Sequence, residues 1–390
     1  MKWRIVAAVF VTAAGIINFV PAIGAAQSDA ASRTVAQEQE PIDFQRARAL
    51  LQKRRQGEKL TPVEEAYLQR AIEARRARRN QGDRPRRAAI EPRESTGLTP
   101  LSEMTADDRY AGEDGGLYGG GENTPPKEHR EAALRELARI VPLGAGGKPA
   151  DDGRIVFISI SMSNATQEFS LFKRLADRDE AKSRRLAVVD CAQGGQAMAE
   201  WAPPDAAPWR EAERRIKAAG VTPEQVQVAW IKLANKSPSG ELARHGKKLQ
   251  SDTLAVIQNA KSKFPNLRIV YLSSRIYGGY ATSPLNPEPY AYESAFVVRW
   301  LIQDQTNGDK ELNYDAQRGP VKAPLLLWGP YLWADGTTPR AADKLTYTRD
   351  DLARDGTHPS QSGREKVAKM LLEFFKGSEL AAPWFTGSAP

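Results

Sequence analysis

Apolar residues in the second half of the chain come in short continuous runs, and stretches with helical periodicity separate these runs. The runs are Arg154–Ile160, Leu186–Asp190, Val226–Leu233, Leu267–Ser273 and Pro324–Trp328. The helical patterns span residues 167–178, 208–219, 241–264, 289–304 and 361–375. Continuous apolar strands joined by helices are typical of a parallel sheet that is covered on both faces. The pattern therefore predicts an α/β domain, a three-layer sandwich around a five-stranded parallel sheet.

A different pattern precedes this domain and predicts a helical hairpin at residues 41–80. Its first helix has apolar residues at helical spacing, and the second begins with the capping-box sequence Thr61-Pro62-Val63-Glu64. Residues 81–100 then form a linker rich in arginine and proline. Residues 101–150 are an irregular, glycine-rich lead-in that we expect to pack on the main domain. The main domain spans residues 151–378, and residues 379–390 are a tail.

The N-terminus has the pattern of a secretory signal at residues 1–26. Lys2 and Arg4 precede an uncharged run that ends in small residues at Ala26. We expect cleavage near Ala26 and a secreted or periplasmic protein, and the alternative is a membrane anchor formed by residues 5–26. Residues 27–40 are polar and are predicted to be disordered.

Charge is distributed unevenly along the 390 residues. The chain carries 56 Lys and Arg against 48 Asp and Glu, a net charge of +8, and much of the excess lies in residues 46–93. This region is either a solvated helix pair or a patch for anionic polysaccharide, cell wall or lipid head groups. Nucleic acid is not expected, because of the predicted export and because no nucleic-acid motif is present. Cys191 is the only cysteine, which excludes an intramolecular disulfide and a cysteine-rich metal site.

Serines follow the first predicted strand, at the edge where an open α/β sheet binds its ligands. Ser159, Ser161 and Ser163 compete for the role of nucleophile. We favour Ser163, which is the last of the three before the helix, and keep Ser161 in reserve. The hydroxyl of a serine at such a junction is exposed, and its own N–H can donate to an oxyanion.

The next two strand ends carry candidate hydrogen-bond donors. Gly194 and Gly195 follow the second strand, where a backbone N–H could reach an oxyanion without obstruction by a side chain. Asn235 follows the third strand, and its amide could donate a third hydrogen bond. Gly195 and Asn235 are the preferred oxyanion donors, with Gly194 and Lys232 in reserve.

Asp355-Gly356-Thr357-His358 lies just before the last predicted helix. The chain has three histidines, and only His358 follows an aspartate by three residues. A serine nucleophile needs a base to accept its proton and a carboxylate to orient that base. Asp355 and His358 supply both groups from one turn of chain. No metal or cofactor is expected in this chemistry.

These four pieces resemble the SGNH (GDSL-type) hydrolase superfamily, in which Ser, Gly, Asn and His follow successive elements of a flavodoxin-like sheet. The resemblance covers about residues 150–378. It is closest to an exported bacterial branch of planctomycete-like type, in the segments 162–169, 273–280 and 355–360. It implies that Ser163 is the nucleophile, that Gly195 and Asn235 are the oxyanion donors, and that His358 and Asp355 are the base and its orienter. Two positions depart from the family pattern: Ser161-Met162 stands in place of Gly-Asp, and Lys236 follows Asn235 in place of Asp.

Other residues near strand ends are weaker candidates. Arg275, Tyr280 and Trp201 are candidates for contact with substrate, because arginine binds carboxylate or phosphate and tryptophan stacks on sugar rings. The preferred alternatives are a structural salt bridge for Arg275 and a place in the core for each tryptophan. The same reasoning applies to Trp328 and Trp333. Glu168 is expected to have a structural role in the first turn of the helix after the nucleophile. Tyr118 and Asn123 lie in the glycine-rich lead-in, where a structural role is also preferred over a place in the site.

The sequence thus predicts an exported serine esterase with a Ser-His-Asp mechanism. The expected substrate is an ester, first an O-acetyl group on carbohydrate and second a lipid or small acyl ester. The competing hypothesis is a non-catalytic protein that binds glycan or cell wall on the same scaffold.

Overall fold

The computed structural model describes residues 42–55, 58–81 and 90–387. The predicted signal at 1–26, the polar segment 27–40, part of the linker and the end of the tail lie outside the described residues. The chain divides into two compact units, Met1–Arg86 and Arg87–Pro390. No helix in the described ranges is both long enough and apolar enough to cross a membrane.

The first unit contains two helices, α1 (Phe44–Arg55) and α2 (Pro62–Gln81). At the start of α2 the backbone N–H of Thr61 donates to Glu64 Oε2 at 2.9 Å, and the Glu64 N–H donates back to Thr61 Oγ1 at 3.3 Å. This reciprocal pair satisfies backbone donors that the first turn of a helix otherwise leaves free. The helices share a small apolar core formed by Ala47, Leu50, Tyr67, Leu68 and Ala71.

The second unit is built on a five-stranded sheet. Its strands are β1 (Ile155–Ile160), β2 (Leu186–Val189), β3 (Val226–Lys232), β4 (Ile269–Ser273) and β5 (Leu325–Trp328). They lie in the order β2-β1-β3-β4-β5, and every pairing is parallel. All residues of β1, β3, β4 and β5 are buried, as expected for strands covered on both faces. The predicted α/β fold and parallel sheet are confirmed.

Helices flank this sheet on both sides. They are α3 (Lys127–Leu137), α4 (Ser163–Ala176), α5 (Met198–Trp201), α6 (Ala207–Ala218), α7 (Leu242–Lys263), α8 (Tyr290–Thr306), α9 (Gln361–Gly377) and α10 (Ala382–Thr386). The helix predicted from residue 167 begins at Ser163 instead, so the candidate nucleophile is itself the first helical residue. The pattern did not predict α3, α5 or α10, of which α5 and α10 are too short to show a helical period.

An aromatic cluster joins β1 to the helices that carry the site. The ring of Phe157 on β1 lies 5.2 Å from Phe169 on α4, 4.8 Å from Phe375 on α9 and 5.1 Å from Trp384 on α10. Edge-to-face pairs of this kind add to the stabilisation from burial. The cluster holds α4, which begins at the candidate nucleophile, against α9, which follows the candidate base.

The glycine-rich lead-in, residues 101–150, packs on the rest of the second unit through ion pairs and close backbone contacts. Arg299 on α8 lies 2.5 Å from Glu113 and 2.9 Å from Asp114. A Cβ on Gly115 would lie 2.1 Å from the Met104 carbonyl oxygen, so only glycine fits there. Asn123 is bonded within the lead-in, to Leu117 N–H at 3.1 Å and to the Ser102 carbonyl at 2.8 Å.

Glu288 ties the loop after β4 to the loop after β5. Its Oε1 accepts from the Gly278 N–H at 2.7 Å and the Trp333 indole N–H at 2.8 Å, and its Oε2 accepts from the Tyr292 N–H at 2.9 Å. Burial raises the pKa of Glu288 to about 7, although these hydrogen bonds oppose the shift. The carboxyl group therefore loses its proton near neutral pH rather than near pH 4.5.

This raised pKa makes the stability of the fold depend on pH. Between about pH 4.5 and 7 the folded protein holds the Glu288 proton and the unfolded chain does not, so stability falls as the pH rises through that window. Glu288→Gln keeps an acceptor for Gly278 and Trp333 but cannot ionise. Urea unfolding should show that the wild type loses about 2 kcal/mol more than this variant between about pH 5 and 7.5. Equal losses in the two proteins would contradict the assignment to Glu288.

Candidate active site

The three serines at the end of β1 differ in their hydrogen bonds. The Ser159 hydroxyl donates to Asp190 Oδ1 at 2.6 Å, and the buried Ser161 hydroxyl donates to the Lys232 carbonyl at 2.5 Å. Both hydroxyls thus join neighbouring strands of the sheet. Ser163 is partly exposed at the start of α4. The hydroxyl of Ser161, the reserve nucleophile, is bonded to β3, whereas His358 Nε2 is bonded to Ser163.

Ser163, His358 and Asp355 form a continuous hydrogen-bonded chain. The Ser163 Oγ lies 2.8 Å from His358 Nε2, and His358 Nδ1 lies 2.6 Å from Asp355 Oδ2. Because a carboxylate only accepts hydrogen bonds, Nδ1 carries the proton and Nε2 is left as an acceptor for the serine. This tautomer is the one that a base needs in order to take the serine proton.

The loop that carries Asp355 and His358 is held by its own backbone. Asp355 Oδ1 accepts from the N–H groups of Thr357 and His358, each at 3.0 Å, which fixes the carboxylate relative to the ring. Gly356 has a φ of +63°, and a Cβ there would lie 1.7 Å from the Tyr280 carbonyl oxygen. Glycine therefore lets the loop dock closely on the segment after β4.

Asn164 connects this loop to the serine. Its side chain is buried, and its Nδ2 donates to the Thr357 carbonyl at 2.9 Å. The residue next to Ser163 is thus bonded to the residue next to His358. In the sequence Asn164 is recognisable only as a neighbour of Ser163, because a contact across almost two hundred positions leaves no local pattern.

Asp355 and His358 remain open to solvent in part. The side chain of His358 is 25% exposed and that of Asp355 is 42% exposed. Partial burial acts to raise the pKa of Asp355, but hydrogen bonds from His358 and Thr357 outweigh it, and the net shift is downward. The carboxylate is therefore ionised at neutral pH and orients the imidazole.

The glycine pair after β2 presents free backbone donors beside β1. The Gln193 N–H donates to the Ser161 carbonyl at 2.9 Å, which holds this loop against the end of β1. Within the described residues, the N–H groups of Gly194 and Gly195 have no hydrogen-bond acceptor. Gly195 has a φ of +76°, and nothing lies within 4 Å of where its Cβ would be. The loop can therefore admit a ligand without moving a side chain.

Asn235 is bonded to its surroundings through both ends of its amide. Its Oδ1 accepts from the Ala199 N–H at 2.9 Å, in the first turn of α5, and its Nδ2 donates to Asp252 Oδ2 at 2.7 Å. One of its two amide hydrogens is thus used by Asp252. The other is the one that an oxyanion would need, so the predicted role of Asn235 stays a prediction.

Lys232, the reserve oxyanion donor, is instead part of a buried ion pair. Its Nζ lies 2.7 and 2.6 Å from the two carboxylate oxygens of Glu168, and both side chains are fully buried. Burial raises the pKa of Glu168 and lowers that of Lys232 to about 8, and each partner opposes the shift of the other. Glu168 lies beyond the first turn of α4, so its structural role comes from this pair and not from the helix dipole.

The residues predicted to contact substrate are buried. Trp201 and Trp333 are 0% exposed, and Trp328 is 5% exposed, so none of them offers a ring face to a sugar. Their burial agrees with the alternative role, a place in the core. Each ring packs in the core, because a tryptophan near a strand end fills the space under the loops as well as it lines a site.

Arg275 and Tyr280 are buried too. The Tyr280 hydroxyl donates to the Tyr347 carbonyl at 3.3 Å. Arg275 is 2% exposed, and its Nε and one Nη have no acceptor in the part of the chain that the structure describes. Burial lowers the pKa of Arg275, and nearby carboxylates, that of Glu168 first, oppose the shift. Arg275 therefore adds positive charge beneath the site rather than a surface contact for substrate.

No group of three or more His, Cys, Asp and Glu side chains in the described ranges is positioned to hold a metal ion. Cys191 is fully buried, and burial raises the pKa of its thiol.

Comparison with solved structures finds remote similarity. One match is a Bacteroides fragilis protein described as an acylhydrolase, with 12% identity over 64% of this chain and 97% of that chain, at a TM-score of 0.31. Another is the periplasmic domain of a lipopolysaccharide acetyltransferase from Salmonella ser. Paratyphi A, with 12% identity, 64% and 97% coverage and a TM-score of 0.32. An extracellular lipase from Streptomyces rimosus matches at 12% identity, with 56% and 99% coverage and a TM-score of 0.27.

Identities and TM-scores this low carry no argument about the activity of the chain. No protein-family model matches the sequence. No curated protein matches it either.

Proposed function

We propose that the protein is a serine ester hydrolase in which Ser163 is the nucleophile, His358 the general base and Asp355 the orienting carboxylate. The observation that carries this proposal is the continuous hydrogen-bonded chain, with 2.8 Å from Ser163 Oγ to His358 Nε2 and 2.6 Å from His358 Nδ1 to Asp355. Both distances are within hydrogen-bond reach, which the base needs towards the serine and the orienting carboxylate needs towards the base.

In the acylation step His358 Nε2 accepts the Ser163 proton while Oγ attacks the ester carbonyl. The negative charge that develops on the carbonyl oxygen needs hydrogen-bond donors. Ser163 lies in the first turn of α4, where backbone N–H groups have no intrahelical acceptor. We assign the oxyanion to the N–H groups of Ser163 and Gly195 and to the free amide hydrogen of Asn235.

The tetrahedral intermediate then breaks the bond to the alcohol, which leaves with the proton from His358. Water repeats the sequence on the acyl-enzyme: His358 accepts a water proton, hydroxide adds to the acyl carbon, and the acid leaves as Oγ regains its proton. Asp355 stays ionised throughout and stabilises the protonated imidazole.

For the substrate we keep an O-acetyl ester of a carbohydrate as the first choice, and a lipid or small acyl ester as the second. The support for carbohydrate is the predicted export of the chain. Because Trp201, Trp328 and Trp333 are buried, they cannot stack on a sugar ring, so polar groups around the site must recognise the sugar.

The basic region at residues 46–93 is proposed to attach the chain to an anionic polysaccharide or cell surface. In the part of this region that the structure describes, Arg46 lies over the Tyr67 ring, 4.5 Å from its centroid, and Lys53 pairs with Glu64. Equal retention on heparin resin with and without residues 27–93 would contradict the proposal.

A fluorophosphonate probe tests the activity directly. Ser163 Oγ should displace fluoride and form a bond to phosphorus, so mass spectrometry should find the adduct on the peptide that contains Ser163. His358→Ala should lose the labelling, because the hydroxyl is then no longer activated. Ser161→Ala is the matched control and should be labelled at the rate of the wild type.

The competing hypothesis, a non-catalytic binding protein, gives the opposite result. Such a protein needs no activated hydroxyl, so it would show neither labelling nor hydrolysis of 4-nitrophenyl acetate. That outcome would end the esterase proposal. Labelling on Ser161 in place of Ser163 would keep the activity but move the nucleophile by two residues.

A further inference from the structure

A cleft of about 500 Å³ lies on the same edge of the sheet as Ser163. Its walls come from α5, from the segment after β3 that begins at Asn235, and from the start of α7. Asn235, one of the proposed oxyanion donors, lines the cleft, and it follows β3, the strand that pairs with β1. Parallel strands bring their carboxyl ends to one edge, which is where ligands of α/β sheets bind.

Hydrogen bonds connect the wall of the cleft to the loop beside Ser163. Lys236 Nζ donates to the Gly195 carbonyl at 3.0 Å. Gly195 belongs to the loop that is held on β1 by the bond from Gln193 N–H to the Ser161 carbonyl, at 2.9 Å. The Lys236 side chain is thus two hydrogen bonds away from the segment that ends in the nucleophile.

The charges on the cleft are mostly positive. Lys236, Arg244 and Lys248 line it, and Glu200 is the only carboxylate among the lining residues. Lys236 pairs with Glu200 at 2.6 Å, and Lys248 pairs with Asp252. His245 also lines the cleft, but it is buried and bonded to Glu293. Lys236 and Lys248 are therefore partly neutralised, whereas Arg244 has no carboxylate partner in the cleft.

Arg244 is exposed, and within the described residues it has no ion pair and no side-chain hydrogen bond. It lies in the first turn of α7, which contains no acidic residue, and the preceding Glu241 makes no side-chain cap. A cation in the first turn of a helix is unfavourable, because the helix dipole is positive there. An anion bound in the cleft would offset the repulsion between Arg244 and the positive end of the helix dipole, and it would pair with the planar guanidinium.

We infer that this cleft binds an anionic group of the ester substrate, of the carboxylate, sulfate or phosphate class, and that Arg244 determines this preference. The inference rests on the proposed esterase function. It narrows the expected carbohydrate substrates to those that carry acidic groups, and it explains how a site without exposed tryptophan can recognise a polar substrate.

Two matched pairs of substrates test the inference with the full chain. In one pair the charge is on the alcohol, 4-carboxyphenyl acetate against 4-carbamoylphenyl acetate. In the other the charge is on the acyl group, 4-nitrophenyl hydrogen glutarate against 4-nitrophenyl butyrate. The pair that responds to Arg244 shows which side of the ester occupies the cleft.

Arg244→Gln should raise KM for the charged member of one pair about threefold to fivefold, with little change in kcat. The neutral member should change less than about twofold, and Arg244→Lys should keep most of the preference. About 0.5 M salt should reproduce the effect in the wild type, since it screens exposed charges. Arg178→Gln is the matched control and should change nothing, because this exposed arginine lies in the turn after α4 ends.

Failure of this inference and failure of the esterase proposal look different. Hydrolysis of both pairs with no response to Arg244→Gln would overturn the anionic cleft and leave the esterase standing. A wild-type chain that hydrolyses none of the four esters and takes no fluorophosphonate label would overturn both.

Discussion

Alanine in place of Ser163 should lower the kcat for 4-nitrophenyl acetate by about 10⁴-fold or more. The variant keeps the oxyanion donors and the base, but it has no atom that can form the acyl-enzyme. His358→Ala should lose a similar amount, because serine and histidine act as one unit and either loss removes most of the rate. The double variant should therefore be no slower than the single variants.

Neither change should unfold the protein. Ser163 and His358 are partly exposed, and neither belongs to the apolar core. Thermal unfolding should stay within a few degrees of the wild type, which separates loss of chemistry from loss of structure. Ser161→Ala should behave in the reverse way, with activity retained and about 1 kcal/mol of stability lost with its buried hydrogen bond. If Ser161→Ala alone lost activity, Ser163 would not be the nucleophile.

Breaking the buried Lys232–Glu168 pair should have the largest effect on stability. Lys232→Met removes one partner and leaves the Glu168 carboxylate with no cation in hydrogen-bond contact and no exposure to water. We expect a loss of about 3–5 kcal/mol in the free energy of unfolding, measured by urea titration. Part of the loss should vanish at low pH, since the raised pKa of Glu168 lets it become neutral there.

The double variant Glu168→Leu with Lys232→Met is the decisive comparison. Replacing both charges with apolar side chains of similar size removes the cost of burying them, so the double variant should recover most of the stability lost by the single one. A double variant that is less stable than Lys232→Met would show that the pair itself contributes net stability. The activity of the double variant reports whether the pair also positions α4, which begins at Ser163.

The sheet was predictable because each of its strands is a continuous apolar run, a local pattern that needs no knowledge of the rest of the chain. The start of α4 was not predictable, because Ser161-Met162-Ser163-Asn164 has no capping sequence. The structure shows no side-chain cap there. Likewise, nothing near Lys232 indicates that its partner is Glu168, which comes from another element. Tertiary pairings of this kind leave no periodic trace.

The candidate site shows the same division. Asp355 and His358 were found together because their contact is local, within one turn. Ser163 was chosen over Ser161 by its position before the helix, and the structure gives the two hydroxyls different partners for a reason the sequence does not contain: β3 lies beside β1. The burial of Trp201 could not be predicted, because a position near a strand end does not show whether loops will cover the ring.

The strand order determines when the proposed esterase can act. Ser163 follows β1, near the middle of the sheet, whereas His358 follows β5, at its edge, and the two meet through a loop that docks on the segment after β4. Any partly assembled state that lacks the last strand, or in which that loop has come away, holds a serine without its base. Ester hydrolysis would then require the completely folded chain, and an unfolded chain would not hydrolyse the esters around it.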